Sequence, residues 1–287
     1  KTYFVTPNFG RYSKSSKAVM EILRTFSSRV EVASVDEAYF DLSEGVTFEE
    51  ARKIAVKIKR QIWKTERLTC SIGIAENKML AKIAAGLEKP NGLVVVREGR
   101  GADILAPLPI SVLPGVGVVT ERKLRRLHID TVADLRKLSA PELRQMFGKW
   151  GGALYDRALG VDERDLSFDE ESKSIGEQET FMEDVREASP VVELVTAACK
   201  KIFSKLREEG FTSFRTVVVV VRFADFETKT RSHTLRLPCA DIRILEREAL
   251  QLLLPFFDRR ENPAGKAIRL AGVRIEKFTV ESKTLFD

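Results

Sequence analysis

Cysteine and histidine are scarce in this chain. Only three cysteines and two histidines occur among its 287 residues. Cys70, Cys199 and Cys239 are odd in number and widely separated, which argues against a disulfide framework and for a reducing compartment. They also lack the spacing of a zinc site. Because His128 and His233 are the only histidines and no Ser-His-Asp or Cys-His arrangement is evident, we assign neither a catalytic role.

Long apolar runs are absent as well. No stretch of about 18 apolar residues occurs, so no membrane-spanning helix is expected. A hydrophobic content of 44% and a charged content of 31% are typical of a globular protein, which we expect to be a cytoplasmic monomer without membrane contact. The chain begins at Lys1 without a methionine, and no secretory signal follows. It reads as a segment of something longer.

The charge that is present is mostly positive. The net charge is +6 and the isoelectric point is near 9.2. This balance permits an anionic partner such as nucleic acid but does not establish one.

The apolar periodicity divides the chain into three parts. Helices and strands alternate through the first 110 residues, which indicates helices packed on a sheet. The pattern is helical from 113 to 169, and the polar stretch 165–178 is typical of a linker. The remainder alternates again. We therefore predict an α+β multidomain fold. Its last part should contain helices at 190–209 and 241–254 and strands at 216–223, 231–237 and 267–278.

Two consecutive acids, Asp36 and Glu37, interrupt the apolar stretch 30–42, which predicts two strands around a tight reversal. Carboxylates held so close repel each other unless a cation lies between them. Magnesium suits such a pair, because it binds through a few carboxylate oxygens together with substrate phosphates. The alternative is a solvated hairpin turn, and for an isolated Asp-Glu dipeptide the turn is the better interpretation.

The neighbouring residues favour the metal site. Segment 34–42 (SVDEAYFDL) resembles a palm motif of Y-family translesion DNA polymerases almost residue for residue. Segment 71–85 (SIGIAENKMLAKIAA), continuing into 89–92 (KPNG), is similar to the second palm signature of the same family. The resemblance covers essentially the whole chain and is closest to the DNA polymerase IV branch.

This resemblance implies an activity and a set of roles. The activity is error-prone addition of deoxynucleotides to a primer 3′-end, with primer-template DNA and dNTP as partners. Asp36 and Glu37 match catalytic metal ligands, with two Mg²⁺ ions expected in the intact enzyme, and Lys82 matches a lysine that contacts the triphosphate. Lys78 and Lys82 are four residues apart and share a helix face.

Several family features have no match here. The family's first catalytic aspartate, a nearby aromatic residue, and a tyrosine and an arginine of the fingers are all missing. We therefore expect that an N-terminal palm strand and the fingers are absent, and that this chain alone cannot extend a primer.

A glycine-rich turn precedes a basic helix. The stretch 113–120 (LPGVGVVT) has the form of a helix-hairpin-helix, whose backbone N–H groups can bind phosphate, although an ordinary helix hairpin is the alternative. By resemblance it is the polymerase thumb, and the implied DNA-backbone contacts are Gly115, Gly117, Thr120 and Lys123.

The last part resembles the little finger, a DNA-binding domain of the family. The implied phosphate contacts are Arg222, Arg231, Arg269 and Arg274. Regular alternation puts Arg269 and Arg274 on opposite faces, so both can face DNA only if a bulge occurs, for which Gly272 is the candidate.

The C-terminal residues 281–287 (ESKTLFD) are similar to sliding-clamp-binding tails, with Leu285 and Phe286 as the implied contacts. A frayed terminus is the alternative. The resemblance divides the chain into a partial palm at 1–111, a thumb at 112–171 and a little finger at 172–287.

Two other functions compete with the polymerase. A non-catalytic repair scaffold of the same family is expected to have lost the acidic pair, which this chain keeps. A helix-hairpin-helix glycosylase or nuclease would explain the residues near 115 but would leave both palm signatures without a purpose.

Overall fold

The computed structural model describes residues 2–42, 45–168 and 172–280. The chain forms two compact units, Lys1–Asp169 and Glu170–Asp287. Both contain helices and strands, which confirms the predicted α+β class. No helix in these ranges combines the length and the apolarity that a membrane crossing requires.

The first unit begins with two helices and two short sheets. Its elements, in chain order, are α1 (Phe9–Arg24), β1 (Val30–Val32), β2 (Ala38–Phe40), α2 (Phe48–Glu66), β3 (Ile72–Ile74), α3 (Lys78–Leu87) and β4 (Leu93–Val95). Strands β1 and β2 pair antiparallel, and β3 and β4 pair parallel. The two pairs are separate sheets, yet both contribute side chains to one apolar cluster with α1 and α2.

Helix α2 begins at a capping box formed by Thr47 and Glu50. The Thr47 hydroxyl accepts a hydrogen bond from the Glu50 N–H at 3.3 Å, and the Glu50 carboxylate accepts one from the Thr47 N–H at 2.9 Å. This reciprocal capping box satisfies two of the N–H groups that a helix start leaves without partners.

From Gly101 to Ala158 the first unit is helical, so the helical region predicted for 113–169 ends earlier than expected. The observed stretch contains α4 (Gly101–Leu105), a 3₁₀ turn (Ile110–Val112), α5 (Val118–Arg125), α6 (Val132–Leu135), α7 (Ala140–Phe147) and α8 (Lys149–Ala158). These helices share a buried cluster with Met79, Leu80 and Ile83 of α3. A core common to both parts explains why they form one compact unit, while a palm–thumb division at residue 111 stays a prediction.

The second unit is a sheet with helices on one face. It consists of β5 (Ser174–Val185), α9 (Ala188–Glu208), β6 (Phe211–Phe223), β7 (Thr228–Cys239), α10 (Ile242–Leu253), β8 (Ile268–Glu276) and β9 (Thr279–Val280). The strand order is β5-β8-β6-β7, with β9 added to β6. Helices α9 and α10 share a core cluster with Val217, Val219 and Val221 of β6. Because side chains alternate along a strand, Val218, Val220 and Arg222 lie on the opposite face, which we call the open face.

The predicted linker at 165–178 is wrong at its C-terminal end. Strand β5 begins at Ser174 and pairs with β8 in the register Ser174↔Glu276. Ile175 is buried in the core, but its neighbours Ser174 and Gly176 are exposed. A strand at the edge of a sheet is exposed to water on several sides. Its composition is therefore polar, and its sequence resembles that of a loop.

Candidate functional site

Asp36 and Glu37 lie in the turn that joins β1 to β2, not within the strands themselves. The N–H groups of Ala33 and Ser34 donate to the carbonyl oxygen of Glu37 at 2.9 and 3.0 Å. These two bonds close the turn and fix the backbone that carries both carboxylates. The hairpin-turn interpretation is therefore right about the backbone, and the side-chain contacts decide what the turn can do.

The two carboxylates have different neighbours. Ser34 donates from its hydroxyl to Asp36 Oδ1 at 2.6 Å. Glu37 Oε1 accepts from the Tyr39 hydroxyl at 3.0 Å and also contacts the ammonium of Lys82 on α3. The Lys82 hydrogen bond, supported by that of Tyr39, holds the pKa of Glu37 below its usual value despite partial burial. Glu37 is therefore kept ionised.

Lys78 does not join Lys82 at the acidic pair. Its Nζ lies 2.8 and 2.5 Å from the two oxygens of Glu31, and it stacks over the Tyr39 ring at 5.1 Å from the centroid. Both side chains of this ion pair are largely buried. Glu31 and Tyr39 are direct cross-strand partners on β1 and β2. Sequence reasoning missed both residues, although the period-2 alternation of the two strands would have placed them on one face.

A divalent cation fits these residues only in part. Within the described ranges, no hydrogen bond involves Asp36 Oδ2 or Glu37 Oε2, so each carboxylate keeps an oxygen for a ligand. Oxygen donors of this type suit Mg²⁺, which is commonly bound by one or two carboxylates plus substrate phosphates. The same ranges contain no group of three or more His, Cys, Asp or Glu side chains that could hold a metal ion.

The glycine-rich turn of the first unit precedes α5. Gly117 is the N-cap of this helix, without a capping side chain, and a Cβ there would meet nothing within 4 Å. The first N–H groups of α5 are thus accessible to an anion. Gly115 has a different reason to be glycine, because its φ is +88° and a Cβ would lie 3.0 Å from Trp150 Nε1.

Thr120 and Lys123 differ in their surroundings. Thr120 is half-buried in the first turn of α5. Lys123 donates to the carbonyl oxygen of Met146 at 2.7 Å and lies over the Phe147 ring at 4.4 Å. Its charge therefore stabilises the C-terminal end of α7.

The four predicted arginines of the second unit separate into two groups. Arg222 and Arg274 lie on the open face, where Val218 on β6 pairs with Arg274 on β8. Arg231 pairs with Val219, so it points to the helix-covered side, and its guanidinium contacts Glu261. The number of basic residues could not show on which face each arginine lies, because the face of a side chain depends on the register between strands.

Strand β8 has an irregularity at Arg269 and not at Gly272, where the bulge was predicted. The register between β6 and β8 shifts between Ile268 and Leu270. Arg222 pairs with Leu270 and Phe223 pairs with Ile268, so Arg269 is the extra residue. Ile268 consequently joins the core with Ala271, and Arg269 does not. Gly272 is not the bulge; a Cβ there would meet Gln178 Cβ at 2.4 Å.

Arg269 is held by its own neighbours. Its guanidinium lies 3.2 Å from Asp184 and stacks over the Phe226 ring at 4.8 Å. The remaining predicted contacts, Leu285 and Phe286, fall outside the described residues.

Three family models match the chain. One described as the impB/mucB/samB family matches residues 1–86, and one described as the C-terminal domain of that family matches residues 172–285. A third, described as the thumb domain of DNA polymerase-iota, matches residues 111–162.

Individual proteins agree with these matches. DNA polymerase IV 2 of Methanosarcina mazei is 38% identical over 276 residues, which cover 96% of this chain and 73% of the relative. A solved chimera of the Y-family DNA polymerases Dbh and Dpo4 is 27% identical, with a TM-score of 0.81, over 96% of this chain and 78% of its own. An insertion ternary complex of Dbh DNA polymerase is 26% identical, with a TM-score of 0.64, over 97% and 79%.

The fold, the acidic turn and these matches define a DNA-directed DNA polymerase of the Y family. Within that class, the chain belongs to the DNA polymerase IV family. The family predicted from the two palm signatures is therefore confirmed.

Proposed function

We propose that the acidic turn is the metal-binding half of a nucleotidyltransfer site, which adds deoxynucleotides to a primer 3′-end. The observation that carries this proposal is the different environment of the two carboxylates. Ser34 orients Asp36, and Tyr39 with Lys82 orients and ionises Glu37, while one oxygen of each stays available. Fixed orientation of charged groups is the main protein contribution to phosphoryl transfer.

Asp36 and Glu37 would hold Mg²⁺. When bound there, the ions supply positive charge to the attacking 3′-hydroxyl and to the phosphates of the incoming nucleotide. Lys82 contacts Glu37 and is about half exposed, so its ammonium can also reach a triphosphate that approaches the pair. A lysine serves as a point-charge partner for phosphate without fixing its orientation.

The DNA would lie against two further surfaces. The uncapped N-terminus of α5 at Gly117 suits a backbone phosphate, and Lys123 contributes less because it is bound at α7. On the second unit, Arg222 and Arg274 of the open face suit the phosphates of a duplex. Arg231 is left out of this interface because it lies on the other face, beside Glu261. Arg274 is also paired, with Glu276 at 2.8 Å, so it is the face and not the pairing that separates the two arginines.

We further propose that the chain by itself binds primer-template DNA but does not extend it. Two carboxylates are available at the turn, and the family's third ligand has no match among the residues of this sequence. A primer-extension assay with the chain as it stands tests this, and template-dependent synthesis would contradict it.

A fusion tests the polymerase function itself. The palm strand and fingers that we expect to be absent, taken from the Methanosarcina mazei relative and placed before residue 1, should restore template-dependent synthesis. Asp36→Asn in the fusion should abolish that synthesis, whereas Asp103→Asn, at an exposed position on α4, should leave it unchanged. A folded fusion that binds DNA without extending it would favour a non-catalytic scaffold instead.

A further inference from the structure

The residues that follow α8 return to the elements around the acidic turn. We call residues 160–168 the strap; they are the last residues of the first unit that the structure describes. At its beginning, the carbonyl oxygen of Gly160 accepts from Asn77 Nδ2 at 2.8 Å, and Asn77 is the N-cap of α3. Near its end, the Ser167 N–H donates to Glu31 on β1 at 2.7 Å. The strap therefore crosses from the start of α3 to the strand that precedes the turn.

Glu31 is the residue on which the strap is fixed. Its carboxylate accepts hydrogen bonds from Lys78 at 2.8 and 2.5 Å and from the Ser167 N–H. Lys78 also donates to the carbonyl oxygen of Asp165 at 3.3 Å. The side chains of Glu31 and Lys78 are only 14% and 16% exposed. A charge with so little access to water is costly unless its partners stay in place, so the ion pair and the strap stabilise each other.

A second set of contacts at the strap is weaker. The guanidinium of Arg29 lies 3.3 Å from Asp165 of the strap and 2.9 Å from Asp41, and it is 5.8 Å from the centroid of the Phe168 ring. The side chain of Asp165 is 88% exposed, and ion pairs so open to water contribute little. The contact with the buried carboxylate of Glu31 is therefore the one that holds the strap.

The same ion pair holds an aromatic ring. Lys78 Nζ lies 5.1 Å from the centroid of the Tyr39 ring, and Tyr39 is the cross-strand partner of Glu31. An ammonium is attracted to a ring face more strongly where water is largely excluded. The hydroxyl of this ring donates to Glu37 at 3.0 Å. A continuous series of contacts thus joins the strap to a carboxylate of the acidic turn, through Glu31, Lys78 and Tyr39.

Stability alone does not account for this ion pair. Replacing a buried ion pair by apolar side chains of similar size is often neutral or stabilising. Apolar side chains at Glu31 and Lys78 would provide neither a fixed charge over the Tyr39 ring nor an acceptor for the strap.

We propose that Glu31 and Lys78 are positioning residues of the nucleotidyltransfer site, which together with the strap hold Tyr39 where its hydroxyl meets Glu37. Both residues act through Tyr39, and neither is assigned a contact with substrate. This inference rests on the proposed function. It adds the residues that orient one of the two carboxylates, and a dependence on Ser167, which lies 136 residues further along the chain than Glu31.

Glu31→Gln and Lys78→Met test the positioning role, and Lys78→Arg is the conservative variant. Glu21→Gln, which removes an exposed ion pair with Arg24 on α1, is the matched control. Mg²⁺ is titrated into each chain, and the carboxyl ¹³C resonance of Glu37 gives the midpoint. We expect the midpoint to rise about tenfold in Glu31→Gln and Lys78→Met, the lower end for loss of a group that orients a metal ligand. It should be unchanged in Glu21→Gln and largely restored in Lys78→Arg.

The strap is tested through its backbone. Ser167→Pro removes the N–H from which Glu31 accepts, whereas Ser167→Ala keeps it. Only Ser167→Pro should raise the Mg²⁺ midpoint at Glu37. Because the proposed path runs through Tyr39, Ser167→Pro should add nothing in a Tyr39→Phe background. A general loss of structure would add its effect in both backgrounds.

Fluorine NMR reports on the ring directly. With 3-fluorotyrosine incorporated, the ¹⁹F resonance of Tyr39 should shift in Glu31→Gln and Ser167→Pro but not in Ser167→Ala. Circular dichroism melting establishes that each variant is folded. Where a single lone charge unfolds the chain, the double variant Glu31→Met with Lys78→Met removes both charges, and its Mg²⁺ midpoint should rise in the same way.

The outcomes separate this inference from the proposed function. If Mg²⁺ shifts the Glu37 resonance, but folded Glu31→Gln and Lys78→Met have the midpoint of Glu21→Gln, the positioning role is overturned and the proposed metal site stands. An effect of Ser167→Pro that persists undiminished in Tyr39→Phe overturns the path through Tyr39. If Mg²⁺ does not shift the Glu37 resonance of the unmodified chain, both proposals are overturned.

Discussion

The hydroxyl of Tyr39 donates to Glu37 at 3.0 Å, on the same carboxylate oxygen that the ammonium of Lys82 contacts. One donor, Tyr39, lies on β2 directly after the turn, and the other, Lys82, lies on a helix 45 residues further along the chain than Glu37. Glu37 is thus oriented both by its own hairpin and by the packing of α3 against it.

Removing either donor should raise the pKa of Glu37. Both hydrogen bonds stabilise the ionised carboxylate, and that of Lys82 has the larger effect. We expect a rise in Lys82→Met and a smaller rise in Tyr39→Phe, measured by ¹³C NMR titration of the Glu37 carboxyl carbon. Tyr12→Phe, on the exposed side of α1, is the control. An unchanged pKa in both variants would mean that these contacts do not persist in solution.

Two glycines of one turn should respond differently to alanine. Gly115→Ala places a Cβ 3.0 Å from Trp150 at a φ of +88°, and such strain costs about 1–3 kcal/mol. Gly117→Ala puts a Cβ into open space at a φ of −86° and should change the free energy of unfolding little. Urea denaturation of the two variants measures the difference. Equal destabilisation would contradict the assigned packing of Trp150.

The faces of the second unit predict which arginines contact DNA. Arg222→Gln and Arg274→Gln should each reduce the salt-dependence slope of DNA binding by about 0.9, because each removes one phosphate contact. Arg231→Gln should leave that slope unchanged, since Arg231 pairs with Val219 and therefore lies on the helix-covered side. Anisotropy titrations over a salt series make the comparison. The open-face interface is wrong if Arg231→Gln has the largest effect of the three.

Glu248 should give the second unit a pH-dependent stability. Its carboxylate is buried and accepts from Arg247 at 3.2 Å, and it lies 2.7 Å from His233 Nδ1. Burial raises its pKa, but the hydrogen bonds to His233 and Arg247 outweigh burial and bring the pKa below the ordinary value of 4.5. A lowered folded-state pKa contributes stability above the unfolded-state pKa, and this contribution is lost as the pH falls through the folded-state value.

Glu248→Gln should therefore lower the free energy of unfolding by about 1.5 kcal/mol at neutral pH, the lower end for hydrogen bonds to charged groups. The difference from the unmodified chain should narrow as the pH falls below 4.5. Urea denaturation at several pH values measures it, with Glu246→Gln on the same helix as the control. A difference that does not depend on pH would indicate a packing effect and not a charge effect.

The sequence by itself determined the features that depend on neighbours along the chain. The capping box of Thr47 and Glu50 spans three residues, and the glycine turn before α5 spans five. The acidic pair and its flanking motif are contiguous. For such features the backbone fixes the geometry locally, so residue type and spacing are sufficient. They were also sufficient for the family.

The tertiary structure determined which side chains contact each other. Lys78 binds Glu31, 47 residues away, so that of the two lysines on this helix face Lys82 contacts Glu37 and Lys78 does not. The register of β7 against β6 places Arg231 on the side where it contacts Glu261. The register shift between β6 and β8 makes Arg269 an extra residue. Since a shift of one residue exchanges the two faces of a strand, no count of charges could assign these side chains. Their surroundings follow from pairing between distant segments, which only the folded chain brings together.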